Sequence, residues 1–188
     1  MSLVNSAAGY GALTKLFHWL VALLIVLQYT SANIMLRTKA TTLGLGQDAY
    51  YNWHKSLGLV VLLVILARLV NRRVGELPPW APTLTLLEQR IIHRTEQLLY
   101  GALLIMPLSG FVYVMSGSYG VLLFGLWDLP NPIGPAPLAT EISLWVHVAC
   151  AMLLLLPLGT HLGLVLGHQF GMRDRLIHRM LPGRTPRP

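Results

Sequence analysis

The chain has 188 residues, of which 54% are hydrophobic and only 11% charged, and its mean hydropathy is +0.59. That balance excludes an ordinary soluble domain and points to a protein solvated by lipid. The formal charge of +7 invites a nucleic-acid reading, but the 14 basic residues gather at the ends of apolar runs, where membrane topology accounts for them.

Four apolar runs are long enough to cross a bilayer, for which about 20 residues are needed. They cover roughly 13–35, 53–70, 98–115 and 142–166. The expected fold is therefore an all-α integral membrane protein, a single bundle of four transmembrane helices over 1–188. The first run has no preceding charged segment and no clear small-residue cleavage site, so it reads as a retained helix rather than a secretory signal. Turn-forming residues separate the runs: Gly46 to Asp48, then Pro78, Pro79 and Pro82, then Pro130, Pro132, Pro135 and Pro137.

Charge asymmetry gives the orientation. Lys15, Arg68, Arg72, Arg73, Arg90, Arg94, Arg173, Arg175, Arg179, Arg184 and Arg187 fall on one side, against Arg37, Lys39 and Lys55 on the other. The positive-inside rule then puts both termini in the cytoplasm. The loop 117–140 carries no basic residue, and its segment Val121 to Trp127 is apolar but too short to span. It reads as an amphipathic cap in the outer interface, or equally as an irregular loop.

Ionisable groups inside a membrane are costly and usually serve a site. His18, His54, His147 and His161 lie in or at the ends of the runs. Fourteen residues separate His147 from His161, which returns them to within about 40° on one helix face and sets them about 21 Å apart. One span thus offers two ligands at two depths. His18 shares the level of His161, and His54 that of His147, so each level receives two imidazoles from two helices, the supply for two bis-histidine haems.

Ala22, Gly58 and Ala151 follow three of these histidines by four residues and would leave room for a porphyrin. Gly159, Gly163 and Gly167 form a small-residue stripe suited to close helix contact. Ligands about 21 Å apart cannot share one zinc or copper ion, whose bonds are about 2 Å. Asp48, Glu76, Glu88, Glu96, Asp128, Glu141 and Asp174 all read as lying at ends or in loops, which disfavours a proton or metal transporter. Met106, Met115 and Met152 read as packing residues. The single cysteine, Cys150, excludes both an intrachain disulfide and C-x-x-C-H haem attachment.

The pattern resembles the bacterial cytochrome b561 family over nearly the whole chain. The residues that carry it are His18-Trp19-Leu20, His54 with a run ending at Arg68 and Arg72, Leu104 to Gly110, Phe124-Gly125-Leu126, Trp145-Val146-His147, His161 and His168. The resemblance implies a di-haem cytochrome of the bacterial inner membrane, with haem ligated by the pairs His18–His161 and His54–His147. It also implies a membrane oxidoreductase that oxidises superoxide at the outer face and reduces ubiquinone near the inner haem.

On that resemblance His168, seven residues beyond His161, is the candidate partner of a quinone carbonyl. Lys15 and His93 are candidates for quinone or haem propionate contacts, or for a solvated rim. Arg37, Lys39 and Lys55 are candidates for focusing a small anion such as superoxide on the outer haem. Two other readings stay open: an electron-transfer subunit that anchors a partner dehydrogenase or hydrogenase, and a non-redox histidine-bearing transporter.

Overall fold

The computed structural model describes residues 2–37, 47–174 and 176–183. Four long helices account for most of them: α1 (Ala12–Arg37), α2 (Gln47–Arg73), α3 (Leu86–Ser116) and α4 (Pro137–Leu166). All four are long and apolar enough to cross a membrane, and at most 22% of the most apolar stretch of any of them is buried inside the protein. Leu23, Val26, Leu63, Leu98, Leu153 and Leu156 are among the many large side chains left exposed, as a lipid-facing surface requires.

Three helices begin several residues before their apolar runs do, α4 at Pro137 rather than near Ile142. α2 opens at Gln47, so Asp48 lies in its first turn rather than in a break. α3 opens at Leu86 rather than near Leu98 because Thr85 and Glu88 form a capping box. The Thr85 amide donates to Glu88 Oε2 at 2.8 Å, and the Glu88 amide returns to Thr85 Oγ1 at 3.3 Å. Glu88 lies in the first turn of α3 and Glu141 near the start of α4, at helix ends as expected, whereas Glu96 lies well inside α3. Glu96 is neutralised there by Arg72, whose Nη2 lies 2.9 Å from its carboxylate.

The segment read as an amphipathic cap or an irregular loop forms a small hairpin, β1 (Leu122–Leu123) paired antiparallel with β2 (Trp127–Asp128). Phe124, Gly125 and Leu126 connect the strands: Phe124 and Gly125 take positive φ, 49° and 75°, and the Leu126 amide donates to the Leu123 carbonyl at 2.9 Å. The hairpin is fastened to α2: the Phe124 amide donates to Ser56 Oγ at 2.8 Å, and the Phe124 ring meets Trp53 edge-on at 5.4 Å. The expected close contact along Gly159, Gly163 and Gly167 is absent among the described residues, since a Cβ at any of the three would meet nothing within 4 Å.

The chain divides into two compact units. The hairpin unit comprises Val21–Leu63 and Leu103–Ala151, and its core is Val114, Met115 and Val121. The terminal unit comprises Met1–Leu20, Val64–Ala102 and Met152–Pro188. Each contains one segment of every long helix.

In the terminal unit, the segment before α1 is tied down by Asn5, whose Oδ1 accepts from the Gly11 amide at 3.0 Å and from Thr14 Oγ1 at 2.7 Å. Asn71 Nδ2 extends this network to α2 through Thr14, at 2.8 Å. After α4 the chain passes through a π-helical turn, Gly167–Met172, and a short 3-10 turn, Leu176–Arg179. Trp19 Nε1 and Lys15 Nζ hold that last segment by donating to the carbonyls of Met180, at 2.8 Å, and Gly183, at 3.0 Å.

Candidate haem-binding site

Each unit brings together one histidine pair. In the hairpin unit the His54 and His147 rings have centroids 6.2 Å apart at 85°. In the terminal unit His18 and His161 are 5.9 Å apart at 59°. These are the pairs that the depths of the histidines predicted. Metal–imidazole bonds of about 2 Å, with each nitrogen about 1 Å from its ring centroid, place two trans imidazoles about 6 Å apart. Both separations therefore fit an iron held between the rings. Among the described residues no group of three or more His, Cys, Asp or Glu is arranged to hold a metal ion, so imidazoles come in twos.

The hairpin pair is oriented by its neighbours. His147 Nδ1 lies 2.7 Å from the Met106 carbonyl oxygen. A carbonyl only accepts, so Nδ1 carries the proton and Nε2 keeps its lone pair for a metal. His54 Nδ1 lies 3.0 Å from Ser31 Oγ. The Ser31 hydroxyl directs its single proton at Gln28, whose carbonyl oxygen is 2.9 Å away, and so accepts from His54. The same tautomer follows. Gly110 makes room for the His147 ring, because a Cβ there would sit 2.8 Å from His147 Nδ1. Gly58 meets Gln28 instead, with Nε2 3.1 Å from a Cβ position. Tyr29 Oη closes the unit by donating to the Ala151 carbonyl.

The terminal pair has different surroundings. Among the described residues neither the His18 nor the His161 ring carries a hydrogen bond, and Trp19 meets His18 edge-on at 5.5 Å. Arg68 belongs to the same unit. Its Nε donates to Tyr100 Oη at 2.9 Å and its carbon lies 5.5 Å from the centre of the Tyr100 ring. Arg68, Arg72 and Tyr100 line a small polar cavity of about 50 Å³ with Asn5, Tyr10 and Thr14, roomy enough for one or two waters. Burial raises the Tyr10 phenol above its ordinary value, against the opposing charge of Arg179, whose guanidinium stands 5.6 Å over the ring.

His168 is almost fully buried in the π-helical turn. Its Nδ1 lies 2.6 Å from Asp174 Oδ2 and its Nε2 3.2 Å from Glu88 Oε1. Arg173, in the left-handed region at φ 55°, turns the chain so that Asp174 reaches back to the ring. Burial pushes the Asp174 carboxyl up, but hydrogen bonds from Thr83, His168 and the Leu176 amide outweigh it and hold the group below the usual range. Lys15 is buried against Gly183, whereas His93 is exposed, 3.2 Å from Gln97 Nε2. At the hairpin, Lys55 Nζ donates to the Gly120 carbonyl at 2.9 Å. Arg37 is exposed at the end of α1. Lys39 lies outside the described residues, as do Gly46 of the first connection and Arg175, Arg184 and Arg187 of the basic tail.

Prokaryotic cytochrome b561 is the family description that matches this chain, over residues 9–183. The chain belongs to that family. It is 26% identical over 189 residues to cytochrome b561 homolog 2 of Escherichia coli (strain K12), covering 96% of this chain and 95% of the relative. It is 24% identical over 177 residues to the probable superoxide oxidase CybB of Yersinia pestis, covering 92% and 96%. As a family member it is a multi-pass bacterial inner-membrane cytochrome that employs b-type haem in transmembrane electron transfer.

Hydropathy and histidine spacing had marked both pairs in advance. The groups that orient them had not been singled out: Ser31, the Met106 carbonyl and Gly110, along with the carboxylates around His168. Gly110 and Met106 lie in a motif that carries the family resemblance, which was the available signal. Pro107 sits between them and removes the amide that would close the turn on Leu103.

Proposed function

We propose that this cytochrome holds two b-type haems, one between His54 and His147 and one between His18 and His161. It would oxidise superoxide at the hairpin face and reduce ubiquinone at the terminal face, with both termini in the cytoplasm. The observation that carries the two-haem reading is that two separate pairs of rings, one in each unit, stand 6.2 and 5.9 Å apart. Bound iron supplies one-electron redox chemistry between ferric and ferrous states.

The chain's own residues do the rest. The Met106 carbonyl and Ser31 Oγ fix the Nδ1 protons of His147 and His54, leaving the Nε2 lone pair of each ring available to a metal. Arg68, a cation of the terminal unit whose Nε is bonded to the Tyr100 phenol, is suited to a haem propionate. The exposed apolar faces of the helices keep the redox path in a low dielectric.

For quinone, His168, Lys15 and His93 remain the candidate contacts. His168 donates to two carboxylates, Asp174 from Nδ1 and Glu88 from Nε2, so one of these bonds must open before the ring meets a quinone carbonyl. The name of the Yersinia relative and the basic residues Arg37, Lys39 and Lys55 support superoxide as donor.

A superoxide pulse mixed with the purified holoprotein tests the donor. The reading predicts rapid growth of the reduced b-type absorption, slower at high salt and in Lys55→Gln. Added short-chain ubiquinone should then reoxidise the protein, and no reduction by superoxide would eliminate this donor.

A further inference from the structure

A cavity of about 460 Å³ lies in the hairpin unit, framed by the end of α3, the start of α4 and the chain on either side of the hairpin. That volume falls in the usual range of ligand sites, roughly 300–1,000 Å³. We propose that it binds a primary alkylammonium group, supplied by the ethanolamine head group of a membrane phospholipid seated between α3 and α4. The proposal is independent of what the two histidine pairs hold.

The lining is rich in acceptors and poor in donors. Ser116 Oγ donates its proton to the Val112 carbonyl at 2.7 Å. Thr140 Oγ1 lies 2.9 Å from Ser116 Oγ and 3.0 Å from the Ala136 carbonyl, and its proton goes to one of them. A hydroxyl has one proton, so toward a ligand both groups can only accept. The amides of Gly117, Ser118, Tyr119, Ala136 and Thr140 all donate to carbonyls within the unit, and Pro135 and Pro137 have no N–H. Glu141 adds a carboxylate, which also only accepts. The hydroxyls of Ser118 and the two lining tyrosines can serve either way. Among the described residues no Lys or Arg lines the cavity. Lys55 reaches the same loop from α2 and is bonded to the carbonyls of Gly120, at 2.9 Å, and Tyr119, at 3.4 Å.

Tyr113 and Tyr119 supply an aromatic wall, with ring centres 5.4 Å apart and planes inclined at 46°. The face of such a ring attracts a cation. Gly117 permits this arrangement, because a Cβ there would collide with the Tyr119 ring. A cation bearing several N–H groups satisfies the hydroxyls, the carboxylate and the rings together. A small anion would meet a carboxylate and few donors. The surroundings favour lipid as the source. The cavity lies where two helices of membrane length end, at the level of head groups. Leu138, Ile142 and Trp145, on the neighbouring turns of α4, are exposed and suited to acyl chains.

Native mass spectrometry of the purified cytochrome tests the ligand class, with phosphatidylethanolamine, phosphatidylcholine and phosphatidylglycerol of matched acyl chains as probes. Phosphatidylcholine keeps the positive charge without an N–H, and phosphatidylglycerol has hydroxyls in place of the ammonium. Phosphatidylethanolamine should be retained about tenfold over either, the factor expected when hydrogen bonds to a charged group are lost. Glu141→Gln and Gly117→Ala should each cut that preference by roughly fivefold, with haem content reporting that the variant has folded. Should one variant not fold, the other and the lipid series decide. Equal retention of the three lipids, or a preference that survives both substitutions, would overturn the proposal. Free ethanolamine that displaces the lipid at comparable concentration would overturn lipid as the source.

Discussion

The hairpin unit and the terminal unit repeat one motif, two facing imidazoles about 6 Å apart, in two unlike settings. At the hairpin, each ring is fixed through Nδ1 by an oxygen of a neighbouring helix, and Gly110 leaves the space His147 occupies. At the termini, His18 has an aromatic neighbour in Trp19, and among the described residues neither ring carries a hydrogen bond. Ligand identity and ligand environment are therefore separate layers. Each unit has its own histidine pair, and the residues around the pairs make the two sites different.

The sharpest way to break this comparison is to remove one ligand at a time. His147→Ala should cost the hairpin haem and leave the terminal one, and His161→Ala the reverse, each read as half the haem content per chain. Loss of both haems from either variant would mean that the units do not hold their cofactors independently.

Gly110→Ala comes next. The added Cβ would lie within 3 Å of the His147 ring, and an overpacked site of this kind costs about 1–3 kcal/mol. Weaker haem retention at the hairpin alone, with the terminal haem unchanged, is the expected outcome in a haem-extraction series.

The His168 clamp sharpens the terminal side. Asp174 is held below the usual carboxylate range, so its contribution to stability is present above its unfolded value and disappears as pH falls through its lower folded value. Thermal denaturation across the acid range should show the native protein losing stability there. Asp174→Asn should be less stable at neutral pH and flatter with pH. The smallest effect belongs to Thr85→Ala, which removes a helix cap worth about 1 kcal/mol and should lower the melting temperature without touching either haem.

Much of this architecture is legible in the sequence, for definite physical reasons. Apolar runs of membrane length exist only to cross lipid, and a 14-residue separation on one helix can be read as two ligands on one face. The helix starts were hidden where polar turns extend the spans. Thr85-Leu86-Leu87-Glu88 is nonetheless a readable capping box, and it marks the start of α3 twelve residues before the apolar run. The hairpin was harder to see because Phe124, not Asn or Asp, takes the positive-φ position ahead of Gly125. The glycine stripe in α4 misled because small residues permit a close neighbour without supplying one.

The Met106 carbonyl could not be seen at all. It is a backbone group, and its role depends on where α4 places His147. Ser31 lies 23 residues from His54, and only the fold brings the two together.

The central claim is that two independent imidazole pairs hold two haems. Haem per chain, measured as the pyridine haemochrome against protein concentration by amino-acid analysis, tests it most directly. The account predicts two b-type haems in the native protein and one in each of His54→Ala and His18→Ala. One haem in the native protein, or two retained in either variant, would contradict it.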